Sequence, residues 1–371
     1  MSKIIGAHTP SEIRNLAING AFDFWQRVEG STTTVNTATT TSGYAADMFT
    51  YDSGGSTVKN YSIARSATIP TVAQSGFQST YSLLATMVTG IASFAASDYV
   101  EVCQYRMEGL DFEKIHQKTV TFGFWAQASV TGTYSFALRN GSTNRSYVTT
   151  FTINGASTWQ FISISVQMDT VGTWNFDNTN ALYVDIGSYA GTTYATSTLN
   201  SWQAGSYVVA SSATNWMATS SATFQIAQFS IVEGPLGFSA TGFARNGRSI
   251  QQELALCQRY YEKSYPQGVA PGTANENGCY RNIATDTQTM SDGGKAWFKV
   301  PKRLPGTYTL VQFYSDTTGT AGKVHDNNSS SDTSITPTNF NWGENYVTIE
   351  GGAVLTAGHF YTAHWTVDCG L

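Results

Sequence analysis

The amino-acid sequence predicts an all-β protein: a jelly-roll or β-sandwich main domain, then a smaller β domain opened by one α-helix. Three observations predict it. Aromatic residues make up 13% of the 371 positions and charged residues only 12%, roughly half the usual quarter. Thr, Tyr, Phe, Trp and Val suit a pleated, half-buried surface, and this apolar load can offset the entropy of ordering the chain. Apolar and small polar residues alternate with period two, and turn formers punctuate the alternation.

The elements follow in order. Thr32–Ser42 is Thr-rich and is expected to be an extended loop. The mixed charges from Glu101 to Lys118 read as a solvated loop or, alternatively, a docking patch for a neighbouring subunit. Val120, Phe122, Phe124 and Ala126 share one strand face; Tyr134, Phe136 and Leu138 repeat the pattern, as do Ile162, Ile164 and Val166. Asn140-Gly141-Ser142 fits a hairpin loop between strands. Phe224 and Ile226 are followed by Ala227, Phe229 and Ile231, a one-residue slip that predicts a β-bulge or a change of sheet. In SIQQELALCQRYYEKSYP, Ile250, Leu254, Cys257 and Tyr261 fall on one helical face, Ser249 and Gln252 make a capping box, and Pro266 lies beyond the end. A Gly/Asn/Pro-rich stretch (266–278) precedes strands at Lys295–Val300, Tyr308–Tyr314, Tyr346–Glu350 and Phe360–Val367, with 321–339 a long exposed loop. The domain expectation is an N-terminal arm at 1–14, a β-sandwich at 15–240 and a helix-plus-strands domain at 241–371.

The net charge of −5 and the absence of Lys or Arg between Arg145 and Arg245 exclude a nucleic-acid binder. No apolar run reaches the roughly 18 residues of a membrane helix, and MSKIIGAHTPSEIR falls short of a secretory signal. The expectation is a soluble chain without membrane insertion or a targeting signal. Cys103, Cys257, Cys279 and Cys369 are far apart and lack zinc-finger spacing. Buried thiols in a reducing compartment are expected, and a disulfide stays open.

Several landmarks carry a resemblance. NLAINGAFDFWQR (15–27) and YAADMF (44–49) open the chain, and YRMEGLDFEKIHQKTVTFGFWAQAS (105–129) and NRSYVTTFTINGASTWQFISISV (144–166) follow. NSWQAGSY (200–207), FQIAQFSIVEG (224–234), ELALCQRYYEKSY (253–265) and FYTAHWTVDCGL (360–371) complete the series. Together they resemble a family of bacteriophage virion proteins described as tail fibre or receptor-binding, with the pattern NL-x-x-NG-x-F-x-x-WQR … Y-x-ADRW at the start and W-x-ADAEL at the end. Met48, Phe49 and Cys369-Gly370 depart from it. The resemblance implies a carbohydrate-binding-module-like jelly roll on a virion assembled in the host cytoplasm. Its partners would be other virion proteins, further copies of itself and a host cell-surface glycan. By analogy with fibre appendages the copies would form a homotrimer, with arm 1–14 as virion anchor. Trp202, in its NSWQAG setting, would belong to the core.

Catalysis lacks a motif. His8, His116, His325, His359 and His364 show no HExxH, and His364 shares parity with Thr362 and Thr366, which predicts a solvent-facing ring. Glycan cleavage needs two carboxylates roughly 5 to 9 Å apart. Asp169, Asp177 and Asp185 read instead as loop and turn residues. The chain is therefore expected to be no enzyme and to need no cofactor; a structural Ca²⁺ has no motif. The glycan surface is placed in the loops from about 172 to 216. There Trp174, Tyr189, Tyr194 and Trp216 could stack on sugar rings while Asn175, Asp177 and Asn178 bond their hydroxyls. The competing reading puts these aromatics in the core or a subunit interface. Capsid decoration without receptor binding, and glycan depolymerisation, are the alternative functions.

Overall fold

The computed structural model describes residues 15–234, 248–287, 290, 294–303, 311–335, 343–348 and 354–371. The expected arm (1–14) and the expected domain boundary at 240 lie outside the described residues, as do 304–310, 336–342 and 349–353. Among the described residues, one compact unit holds 15–25, 30–253 and 371, and a second holds 26–29 and 254–370.

The larger unit runs through β1 (Thr33–Thr37), β2 (Thr41–Tyr44), β3 (Phe49–Gly54), β4 (Lys59–Ser66), α1 (Val72–Ser75), β5 (Ser82–Thr89), β6 (Tyr99–Glu108) and α2 (Gly109–Phe112). It continues with β7 (Thr119–Ala128), β8 (Gly132–Asn140), β9 (Arg145–Ile153), β10 (Gln160–Gln167) and β11 (Asn180–Ile186). Four short strands, β12 (Tyr189–Ala190), β13 (Ala195–Thr196), β14 (Trp202–Ala204) and β15 (Val209–Ala210), precede β16 (Thr223–Glu233). A six-stranded sheet has the order β1-β4-β5-β16-β7-β10, and an eight-stranded sheet the order β14-β9-β8-β11-β6-β3-β2 with β12 on β6. The pairs within both are antiparallel. This is a jelly-roll β-sandwich.

Aromatic rings from facing strands interlock between the sheets. Phe124 of β7 lies 6.1 Å from Phe136 of β8 and 5.5 Å from Phe151 of β9. Phe229 of β16 lies 5.2 Å from Tyr105 of β6, and Phe224 lies 5.3 Å from Tyr134 of β8. The alternation sets which side chains enter this core: Val120, Phe122, Phe124 and Ala126 are fully buried, while Ser163 and Ser165 on β10 face solvent.

The expected bulge is present. The register of β16 against β7 shifts between Ala227 and Ser230, and Gln228 there has φ 53°. The bulge turns the buried Gln228 toward the 75–79 loop, where its Nε2 donates to Ser75 Oγ, Phe77 O and Ser79 Oγ. The expected hairpin joins β8 to β9. Asn140 Oδ1 accepts from the amides of Asn144 and Arg145, and a Cβ on Gly141 would lie 2.0 Å from the Asn180 carbonyl oxygen. Only glycine allows that approach.

Two expected loops are strands. Thr32–Ser42 contains β1 and the start of β2, because its Thr residues pair with β4 and β3. Glu101–Lys118 opens inside β6, flanked by β11 and β3, and Glu101 and Glu108 are buried.

The capping box forms as expected at α3 (Ile250–Gln258), where Gln252 N donates to Ser249 Oγ and Ser249 N to Gln252 Oε1. The helix ends before Tyr261, which belongs to β17 (Tyr261–Lys263), and Ile250 is exposed; the expected apolar face is shorter. The second unit continues with β18 (Tyr280–Ile283), β19 (Lys295–Trp297), β20 (Val311–Tyr314), β21 (Lys323–Asp326), β22 (Ser331–Ser334), β23 (Tyr346–Thr348) and β24 (Phe360–Asp368). β21 and β22 form a hairpin inside the expected 321–339 loop. β24 pairs with β17, β18, β20 and β21. Its Tyr361, Ala363, Trp365 and Val367 join a core with Phe313 and Val347. The opposite face is covered too, which corrects the expectation for His364. That ring is buried and stacked 3.7 Å from Tyr265, its Nδ1 2.8 Å from Ser264 Oγ and its Nε2 2.7 Å from the Asn275 carbonyl oxygen. Burial pushes its pKa down. Cys103, Cys257 and Cys369 are buried and Cys279 half-buried; Cys103 and Cys279 are free thiols. No described helix is long and apolar enough to cross a membrane.

Replacing Phe136 by Ala should cost about 3–5 kcal/mol, because it empties a site between the sheets. Ser163→Ala on the exposed face of β10 should stay within about 0.5 kcal/mol. Urea unfolding of both variants checks the contrast.

Candidate functional site

The outer face of the eight-stranded sheet, turned away from the sandwich core, carries charged side chains in the middle of strands. In β6 the charges come from a register shift. Thr50 pairs with Gln104 and Asp52 with Glu101, so Val102 and Cys103 together oppose Tyr51. This bulge puts Tyr99, Glu101, Gln104 and Arg106 on one face; strict alternation would send half of them inward. On the neighbouring strands, Tyr183 of β11 stands in register with both Arg106 of β6 and Arg139 of β8. Each guanidinium carbon lies 5.4 Å from the Tyr183 ring centroid, so the ring is held from two sides.

Beneath this row lies a buried charge network. Arg139 Nε donates to Asp185 Oδ2 at 2.9 Å, and its Nη2 donates to Glu101 Oε1 at 2.8 Å. Gln104 Nε2 donates to both carboxylates, while its Oε1 accepts from Arg106 Nε and Thr50 Oγ1. Burial pushes the Glu101 carboxyl well above its ordinary range; Arg139 pulls the other way, and Asp185 and Asp52 add to the rise. Burial likewise raises Asp52, against the pull of Arg106. Arg139 is held above its ordinary value because Asp185 and Glu101 outweigh its desolvation.

Above the network is a cavity of about 230 Å³. Asp52, Arg106, Tyr99, Tyr183 and Tyr194 line it with Thr143 and Ser206, over a floor of Glu101, Gln104 and Arg139. Tyr99 packs edge-on against Tyr194 at 5.2 Å, and its hydroxyl donates to Asp52 at 3.3 Å. The lining is hydroxyl-rich, partly aromatic and charged in both signs. It can stack a ring face and bond several hydroxyls at once.

One wall is fixed from a distance. Asp98, fully buried, takes hydrogen bonds from Ser56 N, Thr57 N, Thr57 Oγ1 and Ala95 N, and pairs with the buried Lys59 ammonium at 2.9 Å. The loop so fixed holds the 187–195 segment through Gly191 N to Asp98 O and Thr193 N to Ala96 O. Among the described residues no three His, Cys, Asp or Glu side chains stand together as metal ligands.

The residues singled out in the sequence do not converge. Tyr194 lines the cavity and Tyr189 lines a second one. Trp174 is buried, stacked 4.6 Å from Phe112, and Trp216 is buried with its Nε1 on the Gly187 carbonyl oxygen. Asn175 is half-buried and donates to Asn180 O; Asp177 is exposed and caps Thr179; Asn178 is half-buried nearby. Trp202, expected in the core, is half-buried on the edge strand β14, its Nε1 donating to Gln167 O. Asp185, expected in a turn, sits within β11, whereas Asp169 pairs with Arg145. Sequence reading missed Asp52, Tyr99, Gln104, Arg139, Thr143, Tyr183 and Ser206, and assigned Glu101 and Arg106 to a solvated loop or docking patch. One signal was there: Glu101 and Arg106 alternate with Val100, Val102, Tyr105 and Met107, a strand pattern and not a loop pattern.

The fold and this outer-face cavity define a jelly-roll domain with a polar, tyrosine-lined recess on its larger sheet. No family model and no curated protein sequence matches the chain. Solved structures similar to it include the enzymatically active domain of tailspike protein 4 of bacteriophage CBA120, at 9% identity and a TM-score of 0.29. That match covers 59% of this chain and spans only 21% of the tailspike chain. The family 11 carbohydrate-binding module of a Clostridium thermocellum cellulosomal cellulase is 13% identical over 56% of this chain and 98% of its own, with a TM-score of 0.28. The module TmCBM61, in complex with β-1,4-galactotriose, is 11% identical over 60% of this chain and 99% of its own, with a TM-score of 0.27. These likenesses are of fold alone.

Trp174→Ala should lower stability by about 3–5 kcal/mol, whereas Tyr194→Ala at the cavity wall should cost far less; thermal melting compares them. A second expectation concerns acid. Burial disfavours the ionised form of Asp98, but the bonds from Thr57, Lys59 and Ala95 outweigh it and hold its carboxyl well below the usual range. The folded value lies below the unfolded one, so the stabilisation is complete above about pH 4 and fades as the pH falls further. Asp98→Asn should therefore melt below wild type at pH 7, with the gap narrowing below about pH 4.

Proposed function

We propose that this protein is a structural component of a bacteriophage virion, a tail or head fibre protein that attaches to a host surface glycan through the recess on the eight-stranded sheet. The observation that carries the reading is the Tyr99–Tyr183–Tyr194 lining above the Glu101–Arg139–Asp185 network. A pyranose has an apolar face for an aromatic ring and hydroxyls that both donate and accept. Asp52, Arg106, Thr143 and Ser206 offer matching groups around the recess. The sequence resemblance to phage fibre proteins supports the virion setting, and a homotrimeric assembly is proposed by analogy with fibre appendages.

Binding is favoured over catalysis. Glu101 and Asp185 both hydrogen-bond Arg139 and Gln104, so the carboxyl groups in the floor of the recess are engaged with the protein itself.

A labelled preparation of the protein on an array of neutral, basic and acidic oligosaccharides tests the assignment. Wild type should bind a subset of them. Tyr183→Ala should weaken that binding about tenfold or more, or ~1.4 kcal/mol, while melting within a few degrees of wild type. Unchanged binding by Tyr183→Ala, or no binding by wild type, would remove the recess as the glycan site. Shortening of a bound polysaccharide during incubation would replace attachment by depolymerisation.

A further inference from the structure

The larger unit carries an apolar patch where α2 meets the loop that precedes β11. Gly109 N donates to Thr179 O and Leu110 N to Asp177 O, so the two segments run side by side. A Cβ on Gly109 would lie 2.7 Å from Asn175 O and from Asp177 N, the groups that flank Phe176. Leu110 and Phe176 are thereby neighbours, and both are left in solvent, 42% and 44% exposed. Behind them the rings are stacked. Phe112 lies 4.6 Å from Trp174 and 6.3 Å from Phe176 with near-parallel planes, and His116 meets Phe176 edge-on at 4.9 Å. Val171, 62% exposed, stands at the Trp174 end, where its carbonyl oxygen accepts from the indole Nε1. Phe112 and Trp174 are already buried, so the core is complete without covering Leu110 or Phe176. Single apolar side chains on a surface are ordinary, but adjacent ones on a rigid base mark a contact surface.

The rim of the patch says what meets it. Asp111 pairs with Lys114 at 2.6 Å, Glu113 beside them is exposed, and Lys118 pairs with Glu233 at 3.0 Å. Both signs stand close together in a chain whose residues are only 12% charged. A partner of one sign would meet like charges as often as opposite ones. A second copy of the same rim can set each Lys against an acid, as a self-complementary contact requires. An apolar, partly aromatic centre with a polar rim is the usual anatomy of such a contact.

We infer that the Leu110–Phe176 patch is the surface through which two copies of this chain meet, with Lys114 and Lys118 of one copy facing Asp111, Glu113 and Glu233 of the other. The inference rests on the multi-copy assembly proposed above and names the surface that makes it. It also narrows the docking patch expected at 101–118. Glu101 and Glu108 are buried in β6, and the exposed Glu113, Lys114 and Lys118 remain to dock.

Sedimentation velocity of the full chain over a concentration series tests the assignment. Leu110→Asp and Phe176→Ser are the patch variants, and Val58→Asp is the control. Val58 is 55% exposed and follows Thr57, which is bonded to Asp98 just before β6; α2 comes directly after β6, at the other end of that strand. Wild type should sediment as an oligomer. Each patch variant should weaken association about tenfold or more, while Val58→Asp matches wild type. Thermal melting checks that the variants are folded; should Phe176→Ser melt early, Leu110→Asp, at an exposed position, decides. Patch variants that are folded and still associate like wild type would place the contact elsewhere and leave the assembly standing. Equal weakening by Val58→Asp would make the effect one of surface charge and overturn the assignment. A wild type that stays monomeric throughout the series would remove the assembly and the patch together.

Discussion

A buried guanidinium sets the terms for the recessed face of the larger sheet. Arg139 lies on the side of the eight-stranded sheet that the sandwich core does not cover, yet it is almost wholly out of solvent. A charge in that position is tolerated only where opposite charge and hydrogen bonds meet it. Asp185 on the adjacent strand and the Glu101 carboxyl two strands away meet it with hydrogen bonds, and Gln104 ties the two carboxyl groups together. For Glu101 and Gln104 to share that face, β6 has to slip by one residue at Val102–Cys103. The bulge, the network and the recess above them therefore form one arrangement.

Rigidity follows from the same arrangement. Tyr183 is gripped between Arg106 and Arg139, and Arg106 is itself anchored on Gln104. A ring held in this way has little freedom, and it keeps its hydroxyl at a fixed place in the recess lining. The Lys59–Asp98 pair does the corresponding work for the wall. It fixes the 95–98 loop, and that loop holds the segment bearing Tyr189 and Tyr194. Buried ion pairs add little net stability over apolar replacements, but breaking one leaves an unmatched charge. Here both pairs sit where geometry matters more than stability.

Much of the fold was legible in the chain because its cause is local. The alternation at 120–126 and 134–138 decides which side chains meet between the sheets. The slip after Ile226 marks the bulge at Gln228, and Ser249 with Gln252 marks the start of α3. Asn140-Gly141 marks the β8–β9 hairpin through a conformational demand that few residues meet. The short strands of Thr32–Ser42 and the 323–334 hairpin were less legible, since polar edge strands and loops share a composition and differ only in whether a neighbour offers its backbone.

The sequence by itself determined the all-β class, the pairing of apolar faces and the local turns, because period-two patterning and turn chemistry act over a few residues. Only the tertiary structure decided where the site lies. Arg139 is 38 residues from Glu101 and 46 from Asp185 in the chain, and nothing local brings them together. Sheet order places β6, β11 and β8 side by side, and the charges in them then face a recess instead of open solvent. The same long-range packing buried Trp174, Trp216 and His364, whose loop positions or polar-face parity suggested exposure. Whether a ring or a charge meets solvent depends on what crosses over it, and that is settled by distant parts of the chain.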